Sequence, residues 1–261
     1  QANHFVSGLT LPGTPSVVVG SNKKIAWGFT NAYGDWNDVV TLIESDDKRR
    51  YRTYNGWQAY QFSTSTIKVK DASPVTLTIK QTRWGPVIDQ DYQGRAIAYR
   101  WVAHDPQGIN LNLLNLEQIE TAADALKTAA TFGIPAQNFM VGDAQGNIGW
   151  TIAGAIPNRQ PLSAFDGEFS RLSTEQYIGW QHYHEANNYP KVMAPAQGQL
   201  WTANSRVIGG EKLALLGNDG YALGARSQQI RDGLSAKAQL SELDLFALQH
   251  DNRAVFLSRW H

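Results

Sequence analysis

The chain predicts an α+β fold of mostly antiparallel strands, organised as a single domain over 1–261. Three observations point there. Val75, Leu77 and Ile79 alternate with Thr76, Thr78 and Lys80, the two-residue period of a strand with one apolar face. Gly146-Asn147 separates the apolar runs 139–142 and 148–152 as a tight hairpin turn does. Apolar residues at helical spacing are confined to 119–131 and to the stretch after Gly224.

The elements follow in order. Val17, Val18 and Val19, stopped by Gly20-Ser21-Asn22, predict a buried strand and turn, and 25–29 predicts the next strand. Residues 39–45 read as a third strand. The charged run 46–50 reads as a hairpin tip before 51–54. Residues 87–88 and 96–101 continue the β pattern. Within 119–131, Ala122, Leu126, Ala129 and Ala130 share one helix face, and Ile230 and Leu234 mark a later helix. Ser241, with Asp244 three residues on and Leu245, Phe246 and Leu248 beyond, is the pattern of a helix N-cap. Residues 158–200 are rich in Pro, Gly, Asn and aromatics and lack a period, which predicts a long irregular excursion. Gln1-Ala2-Asn3-His4 shows no leader pattern, and 254–261 still reads as amphipathic. The expectation is a processed or truncated piece of a longer protein.

Composition narrows the function classes. The 261 residues are 42% hydrophobic and 18% charged, which excludes a long disordered chain. Lys plus Arg and Asp plus Glu are 23 each, a balance that disfavours a basic nucleic-acid binder. No apolar run is long enough for a transmembrane helix. The absence of cysteine excludes disulfides, thiolate metal sites and a cysteine nucleophile. Nine Trp, ten Tyr and 23 Gly suggest a turn-rich β protein with aromatic walls. A non-catalytic ligand-binding module using those tryptophans, for carbohydrate or peptide, is the rival to an enzyme.

Candidate chemistry is sparse. The six histidines show no metal-ligand spacing, and His182 and His184 read as a surface pair. No Gly-x-Ser-x-Gly elbow or phosphate loop is present. Three stretches stand out. From Ile25 to Asp38 a strand runs into a loop carrying Asp35 and Asp38, which offers a backbone amide beside a hard-cation site or an ordinary Asp-capped turn. In Leu200-Trp201-Thr202-Ala203-Asn204-Ser205-Arg206, Asn204 has a side-chain amide able to meet a developing oxyanion, or simply occupies a turn. Gly224-Ala225-Arg226 places an arginine at the start of a helix.

Taken in order, these blocks resemble the penicillin acylase (penicillin amidase) family of N-terminal-nucleophile hydrolases. The resemblance runs through Leu11-Pro12-Gly13-Thr14-Pro15, Gly20-Ser21-Asn22, Ile25-Ala26-Trp27-Gly28, and Thr30-Asn31 followed by Asp35 and Asp38. It continues through Thr82-Arg83-Trp84-Gly85-Pro86, Gln137-Asn138, Asp143, Gly146-Asn147-Ile148-Gly149 and Gly154-Ala155-Ile156-Pro157-Asn158-Arg159. Thr202-Ala203-Asn204-Ser205-Arg206, Gly224-Ala225-Arg226 and Leu248-Gln249-His250-Asp251 complete it, so nearly the whole chain is covered.

The resemblance implies layered αββα architecture and a precursor that cuts itself into a small and a large chain. The new N-terminal serine of the large chain attacks an acyl amide, such as a penicillin or an acyl-homoserine lactone, with its own α-amino group as base. Residue 1 is Gln, so this chain is expected to be an internal piece of the large chain, inactive without the nucleophile segment and the other parts of the precursor. The backbone N–H of Asn31 and the side chain of Asn204 are implied as the oxyanion hole, with Arg226 supporting Asn204. Phe29 and Tyr33 are implied as acyl-pocket residues. Asp35, Asp38 and the carbonyls of Asn37 and Pro157 match a structural calcium site, while Leu215 stands at the ungapped place of a further family aspartate, near Asp219. A periplasmic or secreted location follows from the same resemblance.

Overall fold

A computed structural model describes residues 5–159, 170–218 and 220–261. Gln1 to His4, 160–169 of the irregular excursion, and Asp219 lie outside the described residues.

The centre is a six-stranded antiparallel sheet in the order Ser7–Leu9, Val19–Ser21, Ile25–Asn31, Gln137–Asp143, Ile148–Ala153, Lys191–Met193. Alternation along its central strands sorts the side chains to two faces. Ile25, Trp27, Phe139 and Val141 point to one face and meet Ala122, Ala125 and Leu126 of helix α1 (Ala122–Thr128). Gly28, Thr30, Asn138, Met140, Trp150 and Ile152 share the other face by register. There Trp150 and Ile152 pack with Trp36, Trp180 and Tyr189 in a second core. Gly149 is required where α1 crosses, because a Cβ would lie 2.6 Å from the Leu126 side chain.

α1 starts where its donors find partners. The Thr121 hydroxyl accepts from Asp124 N–H, and the Asp143 carboxylate accepts from Ala122 N–H at 3.0 Å. That same carboxylate caps the hairpin turn, taking Asn147 N–H at 2.9 Å, so one aspartate ties helix to sheet. The anticipated Gly146-Asn147 hairpin is present, with Gly146 at φ 85.

A second sheet orders Val87–Gln90, Ala96–Trp101, Asn37–Thr41 and Arg171–Leu172, the last pairing parallel to Asn37–Thr41. Its Val40 and Ala98 enter a third core with Leu42, Tyr51 and Tyr60. Two further helices flank the central sheet. α2 spans Gly210–Leu216, and α3 spans Ala225–Ser235. α4, Glu242–Gln249, carries a capping box between Ser241 and Asp244, as the sequence pattern anticipates. Gly233 of α3 allows α4 to approach, since a Cβ there would lie 2.5 Å from Leu248. The α+β assignment with mostly antiparallel pairing stands.

Several expectations shift. The strand expected at 17–19 begins at Val19 and runs to Ser21, and Val19 is exposed. The cause is Gly8 and Gly20, which let two backbones approach so closely that a Cβ on Gly20 would lie 2.4 Å from Ser7 O. The 75–79 strand exists as Val75–Gln81, paired with Gln61–Ile67. Its apolar face is not half-buried: Val75 and Leu77 are 54% and 49% exposed. The described part of the excursion supplies Trp180–Tyr183 and the edge strand Lys191–Met193, because Thr151 draws its chain in by donating to Pro190 O. α2 and the 3-10 turns of 102–117 carry no clear period and went unanticipated. Among the described residues, no helix is long and apolar enough to cross a membrane.

The two environments separate in stability measurements. Phe139→Ala, deleting a fully buried ring, is expected to cost about 3–5 kcal/mol. Leu77→Ala on the exposed ribbon is expected to stay within about 0.5 kcal/mol. Urea unfolding of both variants checks the assignment.

Candidate active site

A cleft of about 810 Å³ opens on the sheet face opposite α1. Gly28, Thr30 and Met140 form its floor, the 200–204 loop one wall, and α3 with α4 the other. The floor follows from register: Thr30 lies opposite Asn138, and Gly28 opposite Met140. The lining is largely apolar, through Met140, Leu200, Trp201, Ile230, Leu234 and Leu248. Such a lining suits an acyl chain held by a few polar groups.

The polar end is Asn204. Its backbone is left-handed, φ 64, a conformation Asn tolerates better than most residues. Three contacts hold the loop there: Thr30 Oγ1 donates to Thr202 Oγ1 at 2.9 Å, Ala222 N–H donates to Asn204 O at 3.0 Å, and the Ser205 and Ser227 hydroxyls meet at 2.5 Å. Arg226 Nη2 donates to Asn204 Oδ1 at 2.9 Å. Asn204 Nδ2 in turn donates to Asn31 O at 3.1 Å. A carboxamide nitrogen carries two hydrogens, so one remains for another acceptor. The cationic donor on Oδ1 polarises the amide and strengthens that second N–H.

The structure therefore brings Asn31, Asn204 and Arg226 together. Phe29 borders the cleft, but its ring turns to the α1 face of the sheet, its centroid 5.2 Å from that of Phe139, because it alternates with Gly28 and Thr30. Tyr33 falls outside the cleft lining and is 37% exposed. No spacing in the sequence marks Asn138, Gln229, Asp251 or Arg253 as site residues. Asp251 accepts from Arg253 Nε at 2.8 Å and from Gln229 Nε2 at 2.8 Å. The Arg253 and Gln229 hydrogen bonds hold its carboxyl well below the usual range. Its signal was the Leu248-Gln249-His250-Asp251 block.

The carboxylate pair lies apart from the cleft, buried beneath the following loop. Gly34 admits the Trp36 ring, and Asp35 N–H donates to Leu216 O at 2.7 Å at the end of α2. Arg159 takes up this corner. Its Nη2 lies 2.7 Å from Asp35 Oδ1 and its Nη1 2.7 Å from Asp38 Oδ1. Nη2 also donates to Asn37 O at 3.1 Å and Asp35 O at 3.2 Å. Burial pushes the Asp38 carboxyl up, against the pull of Arg159, Arg100 and Arg171. Leu215, at the place of the further family aspartate, packs into the tryptophan core. Calcium takes six to eight oxygens. Among the described residues no group of three or more acidic or histidine side chains gathers, and three of the four implied donors already hold a guanidinium. The arrangement is an arginine clamp and does not fit a calcium shell.

A family model described as penicillin amidase matches residues 2–261. The chain belongs to the penicillin amidase family. It is 25% identical over 274 residues to the acyl-homoserine lactone acylase QuiP of Pseudomonas aeruginosa, covering 97% of this chain and 31% of that protein. It is 27% identical over 253 residues to a penicillin acylase 2 proenzyme of Pseudomonas sp. strain SE83, covering 94% and 31%. A thermostable penicillin G acylase from Alcaligenes faecalis superposes with a TM-score of 0.80 at 23% identity, over 96% of this chain and 45% of that one. That likeness shows that the chain shares the fold of this penicillin G acylase. The family member described here thus spans about a third of the length of these sequence relatives.

Removing the clamp's cation leaves two buried carboxylates facing each other. Arg159→Ala is expected to cost about 3–5 kcal/mol, the usual consequence of breaking a buried pair from one side. Chemical denaturation of the variant measures it.

Proposed function

We propose that the chain is the oxyanion-binding and acyl-binding part of an amide hydrolase that works as the family's penicillin and acyl-homoserine lactone acylases are named. The observation that carries this reading is the Asn204 amide, turned by Arg226 and Asn31 O at the polar end of an apolar cleft. As a substrate carbonyl becomes tetrahedral, its oxygen gains charge. The second N–H of Asn204 and the backbone N–H of Asn31 would receive it, and Phe29 would border the acyl chain through its backbone, its ring being packed toward α1. Tyr33 would join the acyl pocket only if its loop turned inward. Donors that strengthen only as charge develops raise turnover more than substrate affinity.

In this reading the nucleophile is a serine with a free α-amino group, supplied by another part of the same precursor. The chain's own cleft supports that: among the described lining residues only Thr30 and Thr202 carry hydroxyls, and they are bonded to each other. Residues 1–261 then form one domain of the large chain, and a periplasmic or secreted location belongs to the same proposal.

In the matured full-length enzyme, Asn204→Ala is expected to lower single-turnover acylation about 10²–10³-fold, the effect of losing one oxyanion donor. Asn31→Ala keeps its backbone N–H and is expected to be far milder. Parental acylation by Asn204→Ala sinks the assignment. Purified 1–261 alone is expected to leave phenylacetyl, fatty-acyl and glutaryl chromogenic amides intact; sustained turnover through repurification would locate the nucleophile within it.

Calcium at Asp35, Asp38, Asn37 O and Pro157 O would have to displace Arg159 and recruit oxygens from elsewhere in the precursor. We infer that the guanidinium is the resident cation of this corner. Chelation with EGTA is therefore expected to leave the melting temperature unchanged. A drop reversed by added calcium would assign the ion instead.

A further inference from the structure

We propose that Asn138 is a positioning residue of the oxyanion hole, acting through the Asn31 carbonyl on the Asn204 amide. The proposal rests on the oxyanion reading above. Asn138 is the second residue of the Gln137–Asp143 strand, on the cleft side of the central sheet, and is 3% exposed. Its Oδ1 accepts from Trp150 Nε1 at 3.0 Å, a bond buried at both ends. That fixes which way the carboxamide faces. The opposite end, Nδ2, then donates to Asn31 O at 3.1 Å.

Asn31 O is consequently shared. One donor, Asn138, comes from the rigid sheet; the other, Asn204, comes from an irregular loop. A carbonyl oxygen has two lone pairs, and both are used. The shared acceptor transmits the sheet's rigidity to the loop. With the carbonyl held by Asn138, the Asn204 Nδ2 atom has one place to put its first hydrogen, and the second is directed accordingly. Arg226 holds the other end of the same carboxamide, yet Arg226 is exposed on its helix and a single long side chain restrains it loosely. Without Asn138, the end of the 25–31 strand loses a side-chain anchor next to Asn31. Asn31 and Asn204 are then free to rotate together, and the two oxyanion donors move as a pair. A displacement of about 1 Å of such groups costs about 10²-fold in rate.

A structural role alone predicts lost stability with normal chemistry in the folded fraction. The positioning role predicts the reverse split. The test uses the matured full-length enzyme with phenylacetyl and fatty-acyl chromogenic amides. Asn138→Asp keeps an acceptor for Trp150 but presents oxygen to Asn31 O; it is expected to lower single-turnover acylation about 10²-fold with KM changed less than about threefold. Should that variant not accumulate, Asn138→Leu combined with Trp150→Phe removes both buried partners together, a change that is often near neutral for folding. It is expected to show the same rate loss. In an Asn204→Ala background the Asn138 substitution is expected to add less than about threefold, because both act through one amide. Parental acylation by the folded Asn138 variants, or an undiminished loss in the Asn204→Ala background, overturns the positioning role. Parental acylation by Asn204→Ala alone overturns the oxyanion reading and, with it, the proposal.

Discussion

The site depends on one pairing, the seven-residue antiparallel register between Ile25–Asn31 and Gln137–Asp143. Because side chains alternate, this register decides which residues meet the helix and which meet the cleft. Phe29 opposite Phe139 goes to the α1 side, and Thr30 opposite Asn138 goes to the other. A one-residue slip of 25–31 would turn Thr30 toward α1 and Phe29 toward the cleft. The aromatic pair, with Phe132 edge-on to Phe139, makes that slip costly. Stability on one face therefore enforces chemistry on the other.

From that pairing outward, polar groups hand orientation from the core to the cleft. Trp150 sets Asn138, Asn138 holds Asn31 O, and Asn31 O meets Asn204. Each bond is ordinary in length and neutral in charge. Only the last member carries a cationic partner, Arg226, at the point where a negative oxygen would arrive. Arg226 is exposed at that point, so its charge stays solvated and carries no burial cost. The other cationic corner, Arg159 with Asp35 and Asp38, is deeply buried and has a different task. It joins the loop after the 25–31 strand to the Pro157–Arg159 strand and to Trp180, whose ring lies 5.1 Å from the guanidinium. It braces the loop that follows Asn31 without touching the cleft.

Exposed apolar surface is the other notable feature. The Gln61–Ile67 and Val75–Gln81 ribbon shows Ile67, Val75 and Leu77 to solvent, and α4 shows Leu243 and Phe246. At its base the ribbon is anchored where Lys80 meets Glu44 and where Gln81 bridges to Pro86. Two strands without a covering layer bury little of their own side chains. Its alternation is genuine, but alternation specifies a face and says nothing of what lies against it.

Local chemistry made much of this legible from the sequence. The Ser241–Asp244 cap, the Gly146-Asn147 hairpin and the Ala122/Leu126 face each depend on residues within one turn, so spacing alone reveals them. The ordered blocks around Asn31, Asn204 and Arg226 likewise pointed to the family and to the residues that the fold brings together. What the sequence left undecided is separated by long stretches of chain. The Asn138 contact to Asn31 spans 107 residues, and the Arg159 contact to Asp38 spans 121. Asp35 and Asp38 could face an ion or a guanidinium, and nothing within their loop distinguishes the two. The sequence by itself determined the central strands, the caps and the family. Which cation the acidic pair holds, and which buried amide steadies the cleft, were decided by tertiary structure, because hydrogen-bond partners depend on distance through space and the sequence orders residues only along the chain.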